Sequence, residues 1–96
     1  MVLLVTYDIH TLDMAGRRRL RKVAKTCQSY GQRVQFSVFE CRVPDAVWIA
    51  FRNKLLSILD PEEDSLRFYF IGDDDMKRAE HHGIKAAVDF QAPLVL

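Results

Sequence analysis

The sequence is short of several features, and each shortage excludes a class of protein. Its 96 residues include only two cysteines, Cys27 and Cys41, too few for the disulfide framework of a small secreted domain. No run of about 18 apolar residues occurs, so no membrane-spanning helix is predicted. The apolar beginning lacks the basic region and cleavage site of a signal peptide. We therefore expect a cytoplasmic protein with no membrane partner, in which both cysteines are buried free thiols.

The sequence also has almost no net charge, +1 at pH 7, which by itself argues against a nucleic-acid partner. The charges are nevertheless segregated along the chain. Residues 10–43 contain eight basic and two acidic side chains, whereas residues 60–80 contain eight acidic and three basic ones. This distribution predicts one surface that binds an anion and another that is solvated or meets a basic partner.

The chain does have enough apolar sequence for one small core. Apolar residues make up 49% of its 96 residues, which predicts a single domain over residues 1–96. A domain of this size buries a modest share of its surface and is marginal alone. The last residues are apolar, so we expect the tail from about residue 72 to lie in a dimer contact.

The apolar pattern predicts a strand, a helix, one or two strands, a second helix, a further strand and a final strand. Their ranges in chain order are 2–9, 17–30, 33–43, 45–59, 66–71 and the end of the chain from residue 86. Gly31 is predicted to cap the first helix. One strand and two strands that meet near Ser37 both fit the third range. This order predicts an α+β fold, best matched by a ferredoxin-like βαββαβ sandwich with an extra C-terminal strand, in a homodimer.

Side-chain alternation predicts which strand residues face the core. In the range 33–43, the inward residues are predicted to be Val34, Phe36 and Val38, an alternation that Phe39 breaks. In the range 66–71, they are predicted to be Leu66, Phe68 and Phe70.

One carboxylate needs an explanation because it ends the first apolar strand, in the segment LLVTYDIH. A charge is costly to bury unless it is paired. Asp8 could face water, or it could cap the next turn through the amides of Thr11 or Asp13. It could also bind Mg²⁺, which takes one or two carboxylates together with waters and phosphates. One carboxylate per chain is a sparse set of ligands for this ion. We therefore expect two copies of Asp8 to meet across a dimer axis and share the ion.

The run GRRRLRK, residues 16–22, supplies basic side chains soon after Asp8. Most runs of this kind are solvated helix faces, and that interpretation stays open here. Guanidinium groups also bind phosphates through paired hydrogen bonds. With few nearby acids to neutralise them, Arg17, Arg18 and Arg19 are candidates to hold a nucleic-acid backbone.

Three segments together resemble the CRISPR-associated protein 2 family. They are VTYDI, GRRRLRKVAKTCQSYGQRVQFSVFEC and DSLRFYFI, and they follow one another with the family's spacing from residue 2 to about residue 71. The resemblance implies a ferredoxin-like homodimer that acts in CRISPR spacer acquisition with an integrase, CRISPR-associated protein 1. It also implies a C-terminal strand that adds to the partner's sheet. Several family members are described as Mg²⁺-dependent endonucleases on RNA or DNA.

The same resemblance implies site residues by position. The family's strand-end aspartate falls on Asp8, which implies a catalytic metal ligand. Its basic residues fall on the Arg17–Arg19 run, and its RVQ-SVFE segment falls on residues 33–40. The implied nucleic-acid contacts are Tyr7, Arg17, Arg18, Arg19, Arg33, Ser37 and Phe39.

Two functions follow, and the resemblance supports them about equally. In the first, a dimer holds Mg²⁺ between two Asp8 carboxylates and hydrolyses phosphodiester bonds of RNA or DNA. In the second, a non-catalytic dimer binds DNA and bridges subunits of the integrase, and Asp8 is vestigial or structural. A small-ligand regulatory domain is a third interpretation, but it gives the arginine run no purpose.

Overall fold

The protein folds as a four-stranded antiparallel sheet with two helices. The structure is a computed structural model and describes residues 1–72, 75 and 77–83. In chain order the elements are β1 (Val2–Asp8), α1 (Met14–Gln28), β2 (Gly31–Gln35), β3 (Val38–Arg42), a 3₁₀ turn (Asp45–Val47), α2 (Trp48–Ile58) and β4 (Ser65–Ile71). The strand order β2-β3-β1-β4, with a helix after β1 and another after β3, is the predicted ferredoxin-like arrangement.

β1 lies inside the sheet and carries much of the core. It pairs antiparallel with β3 on one side and with β4 on the other. Leu3, Val5 and Tyr7 alternate onto the face that both helices cover, and all three are buried. The buried helix residues of the same cluster are Val23, Cys27, Phe51 and Leu55.

The range 33–43, in which the sequence allowed either one strand or two, falls on two strands. β2 and β3 are separated by a turn at Phe36 and Ser37, and the pairing register shifts between Arg33 and Gln35. A turn and a shift of this kind reset the alternation of side chains. The prediction that Phe36 faces inward is therefore wrong, since its side chain is 91% exposed. Phe39, which broke the predicted alternation, is buried in the core.

α1 begins three residues earlier than predicted because Asp13 caps it. The Asp13 carboxylate accepts a hydrogen bond from the Gly16 amide, with oxygen and nitrogen 2.7 Å apart. The helix ends at Gln28, and the prediction that Gly31 caps it is wrong, because Gly31 begins β2. Glycine is needed there for another reason, since a Cβ atom at Gly31 would lie 2.0 Å from the Glu40 carbonyl oxygen.

The predicted thiols are confirmed. Cys27 and Cys41 are free and buried, and the Cys41 thiol donates to the Cys27 carbonyl oxygen at 3.7 Å. The contact between the two thiols, together with their burial, raises the pKa of Cys27. This thiol therefore stays protonated and acts as a small core residue.

An aromatic cluster joins α2 to β4. The Trp48 ring packs edge-to-face on Phe68 and on Phe70, with centroids 5.1 Å and 5.2 Å apart. Phe68 is half-buried on the helix-covered face, as predicted. The prediction that Phe70 is a core residue is wrong, because it lies near the end of a strand at the edge of the described sheet and is mostly exposed.

The predicted fifth strand and apolar tail, from residue 86 onward, lie outside the described residues. After β4, the residues that the structure describes (72, 75 and 77–83) are all exposed. No helix in the described part of the chain is long and apolar enough to cross a bilayer.

Candidate active site

The candidate site lies at the end of β1, where the chain leaves the sheet. Asp8 is the last residue of β1 and pairs in register with Ser65, the first residue of β4. Alternation turns its side chain to the face opposite the helices, where it is exposed. Its carboxylate makes no hydrogen bond or ion pair with any residue that the structure describes. Neither the Thr11 nor the Asp13 amide donates to this carboxylate, so the structure does not use Asp8 as a turn cap. The nearby His10 amide donates to Asp64 and the Gly16 amide to Asp13.

An open depression of about 240 Å³ contains this carboxylate. Its lining comes from the ends of two neighbouring strands: Thr6, Tyr7, Asp8, Ser65, Leu66, Arg67 and Tyr69. Arg67 Nη1 donates to Tyr69 Oη at 2.9 Å, and the guanidinium carbon lies 5.7 Å from the Tyr69 ring centroid. The depression thus brings one carboxylate and one guanidinium to the same end of the sheet.

The donor set at this site fits a hard divalent cation only when a second molecule adds to it. Mg²⁺ prefers oxygen ligands and usually keeps several waters while it binds one or two carboxylates and phosphates. Asp8 supplies one unpaired carboxylate. Within residues 1–72, 75 and 77–83, no group of three or more His, Cys, Asp or Glu side chains could hold a metal. Among the described residues, the depression therefore offers a single carboxylate, which suits an ion shared with a partner or with a phosphate.

Tyr7 and Phe39 support the site from inside the core. Their rings stack with centroids 6.3 Å apart, and they are 5% and 1% exposed. Tyr7 Oη donates to the Phe36 carbonyl oxygen at 3.4 Å, and the Tyr7 amide donates to the Ser37 carbonyl oxygen at 3.1 Å. Burial raises the pKa of Tyr7, although the charge of Arg33 opposes the shift. Both rings thus serve as core residues of the protomer, and their implied contact with nucleic acid stays a prediction.

Arg33 and Ser37 lie beside these rings. The Arg33 guanidinium carbon is 5.2 Å from the Phe39 ring centroid, a cation–π arrangement. Its Nε atom is buried with no hydrogen-bond partner among the described residues. Ser37 is half-buried in the turn after β2. Both residues shape the end of the sheet, and their contact with nucleic acid stays a prediction.

The three predicted arginines of α1 have different environments. Arg17 and Arg18 are exposed. Arg17 Nη1 donates to the Thr11 carbonyl oxygen at 3.3 Å, whereas Arg18 has no hydrogen bond or ion pair with a described residue. Both guanidinium groups can therefore bind a phosphate.

Arg19, in contrast, is held by Asp64, a residue that the sequence did not indicate. Arg19 Nε donates to Asp64 Oδ2 at 2.7 Å, and Arg19 Nη2 donates to Asp64 Oδ1 at 3.2 Å. The Asp64 side chain is 0% exposed, and that of Arg19 is 17% exposed. Two-point contacts between a guanidinium and a carboxylate are the strong kind of ion pair. The protomer thus uses Arg19 structurally, and its contact with phosphate stays a prediction.

The same carboxylate binds two backbone amides. Asp64 Oδ1 accepts from the His10 amide and Oδ2 accepts from the Asp60 amide, each at 2.9 Å. Burial alone raises the pKa of Asp64, but the hydrogen bonds from Arg19 and from these amides outweigh it and lower the pKa to about 2. We call this set, Asp64 with Arg19 and the His10 and Asp60 amides, the Asp64 clasp. Glu63 lies at its edge, with Oε1 3.8 Å from both Arg19 Nη2 and His10 Nε2.

The only sequence signal for the clasp is charge complementarity between distant segments. Arg19 lies in the basic segment and Asp64 in the acidic one, 45 positions away. Local patterns pair charges three or four positions apart, so they cannot select one acid for one arginine over such a separation. The position of Asp64 directly before the strand that pairs with Asp8 appears only once the sheet is known.

Comparisons with known proteins identify the family. Residues 1–79 match the family model described as CRISPR associated protein Cas2. Over 100% of both chains, this protein is 58% identical to the CRISPR-associated endoribonuclease Cas2 of Chlorobaculum tepidum. It is 48% identical to the CRISPR-associated endonuclease Cas2 of Halalkalibacterium halodurans over 99% of each chain.

Solved structures share the fold. Streptococcus pyogenes Cas2 in a crystal at pH 6.5 matches with a TM-score of 0.78 at 51% identity, over 86% of this chain and 100% of that one. The hypothetical protein TT1823 from Thermus thermophilus matches with a TM-score of 0.70 at 32% identity, over 90% and 94% of the two chains. With the family model matched over residues 1–79 and a relative aligned end to end, the chain belongs to the CRISPR-associated protein Cas2 family.

Proposed function

We propose that this protein is a metal-dependent endonuclease that hydrolyses phosphodiester bonds and acts in CRISPR spacer acquisition. The observation that carries the proposal is the Asp8 carboxylate, exposed at the end of a buried strand and unpaired among the described residues. A polar group held by a rigid strand where the chain enters a loop suits function. The names of two relatives, an endoribonuclease and an endonuclease, support the same class of reaction.

The proposed active unit is a homodimer with Mg²⁺ between two Asp8 carboxylates. Two close carboxylates repel each other unless a cation lies between them. Both helices cover the other face of the sheet, so the face with Asp8 carries no described helix. That face also presents Leu4, Thr6 and Tyr69, an apolar and polar mixture suited to a second protomer.

The Asp8 carboxylates would hold the Mg²⁺, whose chemistry there would be to polarise a phosphate and to lower the pKa of a coordinated water. The chain's own residues bind and orient the nucleic acid. Arg17 and Arg18 hold phosphates through charge-assisted hydrogen bonds. Arg67, in the depression beside Asp8, is placed to hold a further phosphate. Tyr7 fixes the end of β1 against the neighbouring turn from inside the core.

The test is cleavage of single- and double-stranded RNA and DNA, with and without Mg²⁺, by wild type and by Asp8→Asn. The substitution keeps the size of the side chain and removes the charge that a hard cation needs. We expect Mg²⁺-dependent cleavage to fall by about a hundredfold or more, while dimer mass and nucleic-acid binding persist. Glu62→Gln is the matched control, because it neutralises an exposed carboxylate that, like Asp8, has no partner among the described residues. Wild-type cleavage by Asp8→Asn, in a preparation free of contaminating nuclease, contradicts the proposal.

A second candidate function is a DNA-binding scaffold that does not cleave. It is favoured by the exposed Arg17 and Arg18, and by the lack of any group of three potential metal ligands among the described residues. The dimer then grips duplex DNA and bridges subunits of the integrase, CRISPR-associated protein 1. In that case wild type cleaves no substrate, and Asp8→Asn supports spacer integration at the wild-type level.

A further inference from the structure

We propose that Asp64 is a positioning residue, which withholds Arg19 from phosphate and fixes the exit of β1. Asp8 and the exposed Arg17 and Arg18 of α1 thereby keep one relative geometry. The inference rests on the proposed function and adds a residue that does not touch the nucleic acid. It assigns opposite roles to two neighbouring arginines, Arg18 and Arg19.

Asp64 holds the chain on both sides of the Asp8 pairing. Two residues after Asp8, the His10 amide donates to Asp64 Oδ1 at 2.9 Å. Ser65, the partner of Asp8 across the sheet, directly follows Asp64. Because Asp64 leads into one strand and is bonded to the exit of the other, the two strand ends cannot separate without breaking a hydrogen bond to a buried carboxylate.

The clasp attaches the first turns of α1 to the same point. Arg19 makes its two hydrogen bonds to Asp64 at 2.7 Å and 3.2 Å. In the first turn, Gly16 packs so closely that a Cβ atom there would lie 1.8 Å from the His10 carbonyl oxygen. Arg17 and Arg18 lie between these two attachments in the chain. The clasp therefore fixes the backbone of Arg17 and Arg18, from which their side chains extend, relative to Asp8.

Arg19 cannot leave the clasp without stranding a buried carboxylate. The Asp64 side chain is 0% exposed while Arg19 covers it, and loss of the guanidinium leaves its carboxylate with only the two amide hydrogen bonds. Removing one partner of a buried ion pair leaves an uncompensated charge, which is strongly unfavourable. A phosphate would have to compete with this bound carboxylate for Arg19. Arg18 has no partner among the described residues and is free to bind one.

The test compares Arg19→Gln with Arg18→Gln, two neighbouring changes that each remove one positive charge. Nucleic-acid affinity is measured against salt concentration, because each phosphate contact adds about 0.7–0.9 to the slope of log affinity against log salt. We expect Arg18→Gln to reduce the slope by about one contact and Arg19→Gln to leave it unchanged. In cleavage, Arg19→Gln is expected to lower kcat by roughly ten- to a hundredfold with little change in KM, since misplaced groups slow the chemical step. Arg18→Gln is expected mainly to raise KM.

Asp64→Asn separates positioning from loss of the arginine charge. It frees Arg19, so the salt slope is expected to stay level or to rise by up to about one contact, while kcat falls as in Arg19→Gln. The double variant is expected to lose no more kcat than the more damaged single variant, because both break the same contact. Arg19→Lys keeps the charge and one hydrogen bond, and is expected to recover part of kcat. It also serves as the folded variant should Arg19→Gln not fold, as judged by thermal melting.

A salt slope that falls in Arg19→Gln as much as in Arg18→Gln overturns the inference, because Arg19 then contacts phosphate. Wild-type kcat in folded Asp64→Asn and Arg19→Gln overturns it as well. Should wild type cleave no substrate, the endonuclease proposal fails separately. The salt dependence of binding still decides the role of Arg19, since that measurement needs no cleavage.

Discussion

Two turns flank the exit of β1, and different forces hold them in place. On the β4 side, the charged turn (residues 60–64) is tied to α1 through Arg19 and to β1 through the His10 amide. On the β3 side, the aromatic turn (residues 36–37) is tied to β1 through the backbone and the hydroxyl of Tyr7. Asp8 lies between them, at the end of the strand that both turns restrain.

The difference predicts different sensitivities for the two sides of the site. The charged turn depends on one ionised carboxylate, so acid that protonates Asp64 removes its support. The aromatic turn depends on close packing of Tyr7 against Phe39, so it responds to lost volume and little to pH. The stability lost on substitution in the charged turn should therefore depend on pH, whereas the stability lost on substitution beside the aromatic turn should not.

The largest effect is expected on the aromatic side, for Phe39→Ala. The Phe39 ring is 1% exposed, stacks on Tyr7 and supports the Arg33 guanidinium. Removing a buried ring leaves a cavity and costs about 3–5 kcal/mol of unfolding free energy. Urea unfolding measures the loss, which should be similar at pH 7 and at pH 3, where part of the Asp64 contribution is gone, because no ionised group is removed.

Phe36→Ala is the matched control for this prediction, since the same ring is removed from the turn itself. Phe36 is 91% exposed, so its truncation should change the unfolding free energy by no more than about 0.5 kcal/mol. Similar losses for Phe36→Ala and Phe39→Ala would show that the aromatic turn, and not the core beneath it, restrains β1.

A smaller effect is expected on the charged side, for Asp64→Asn, and it should depend on pH. The pKa of Asp64 is lowered from 3.8 to about 2 in the folded state, so its carboxylate stabilises the fold fully above about pH 4. That contribution is lost as the pH falls from about 4 towards 2. Wild type should therefore melt several degrees above the variant at pH 7, and the gap should close in acid.

The groups that face Asp64 are Arg19, the His10 and Asp60 amides and, at the edge, Glu63. The prediction is checked by measuring the melting temperatures of wild type and Asp64→Asn from pH 7 to pH 2.5. Parallel curves, with a constant gap down to pH 2.5, would mean that the hydrogen bonds and not the charge of Asp64 provide the stability.

Local sequence pattern was enough for most of the fold. β1, the apolar faces of both helices and the order of elements follow from periodicity, because each element buries one face. The facing of Phe36 and Phe39 did not follow, because a turn and a register shift reset the alternation within a segment that no Gly, Asn or Pro interrupts. The start of α1 was missed because the Asp13 cap lies outside the apolar pattern.

Sequence predicted those site residues whose surroundings are set by neighbouring positions in the chain. Asp8 follows from its place at the end of a strand, and the exposure of Arg17 and Arg18 follows from the helical face. The fate of Arg19 depends on a partner 45 positions away, brought close by the pairing of β1 with β4. Three consecutive arginines therefore looked equivalent in the sequence and are not equivalent in the fold.

Binding of Mg²⁺ tests most directly the claim that two Asp8 carboxylates share one ion between the two turns. Thermal unfolding across a Mg²⁺ titration, with calorimetry for stoichiometry, compares wild type with Asp8→Asn. We predict that Mg²⁺ raises the melting temperature of wild type with about one ion for two chains, through ligand linkage. Without metal, Asp8→Asn should melt at the wild-type temperature or above, because the two carboxylates no longer repel, and added Mg²⁺ should change it little. Equal stabilisation of both proteins by Mg²⁺ would contradict the account.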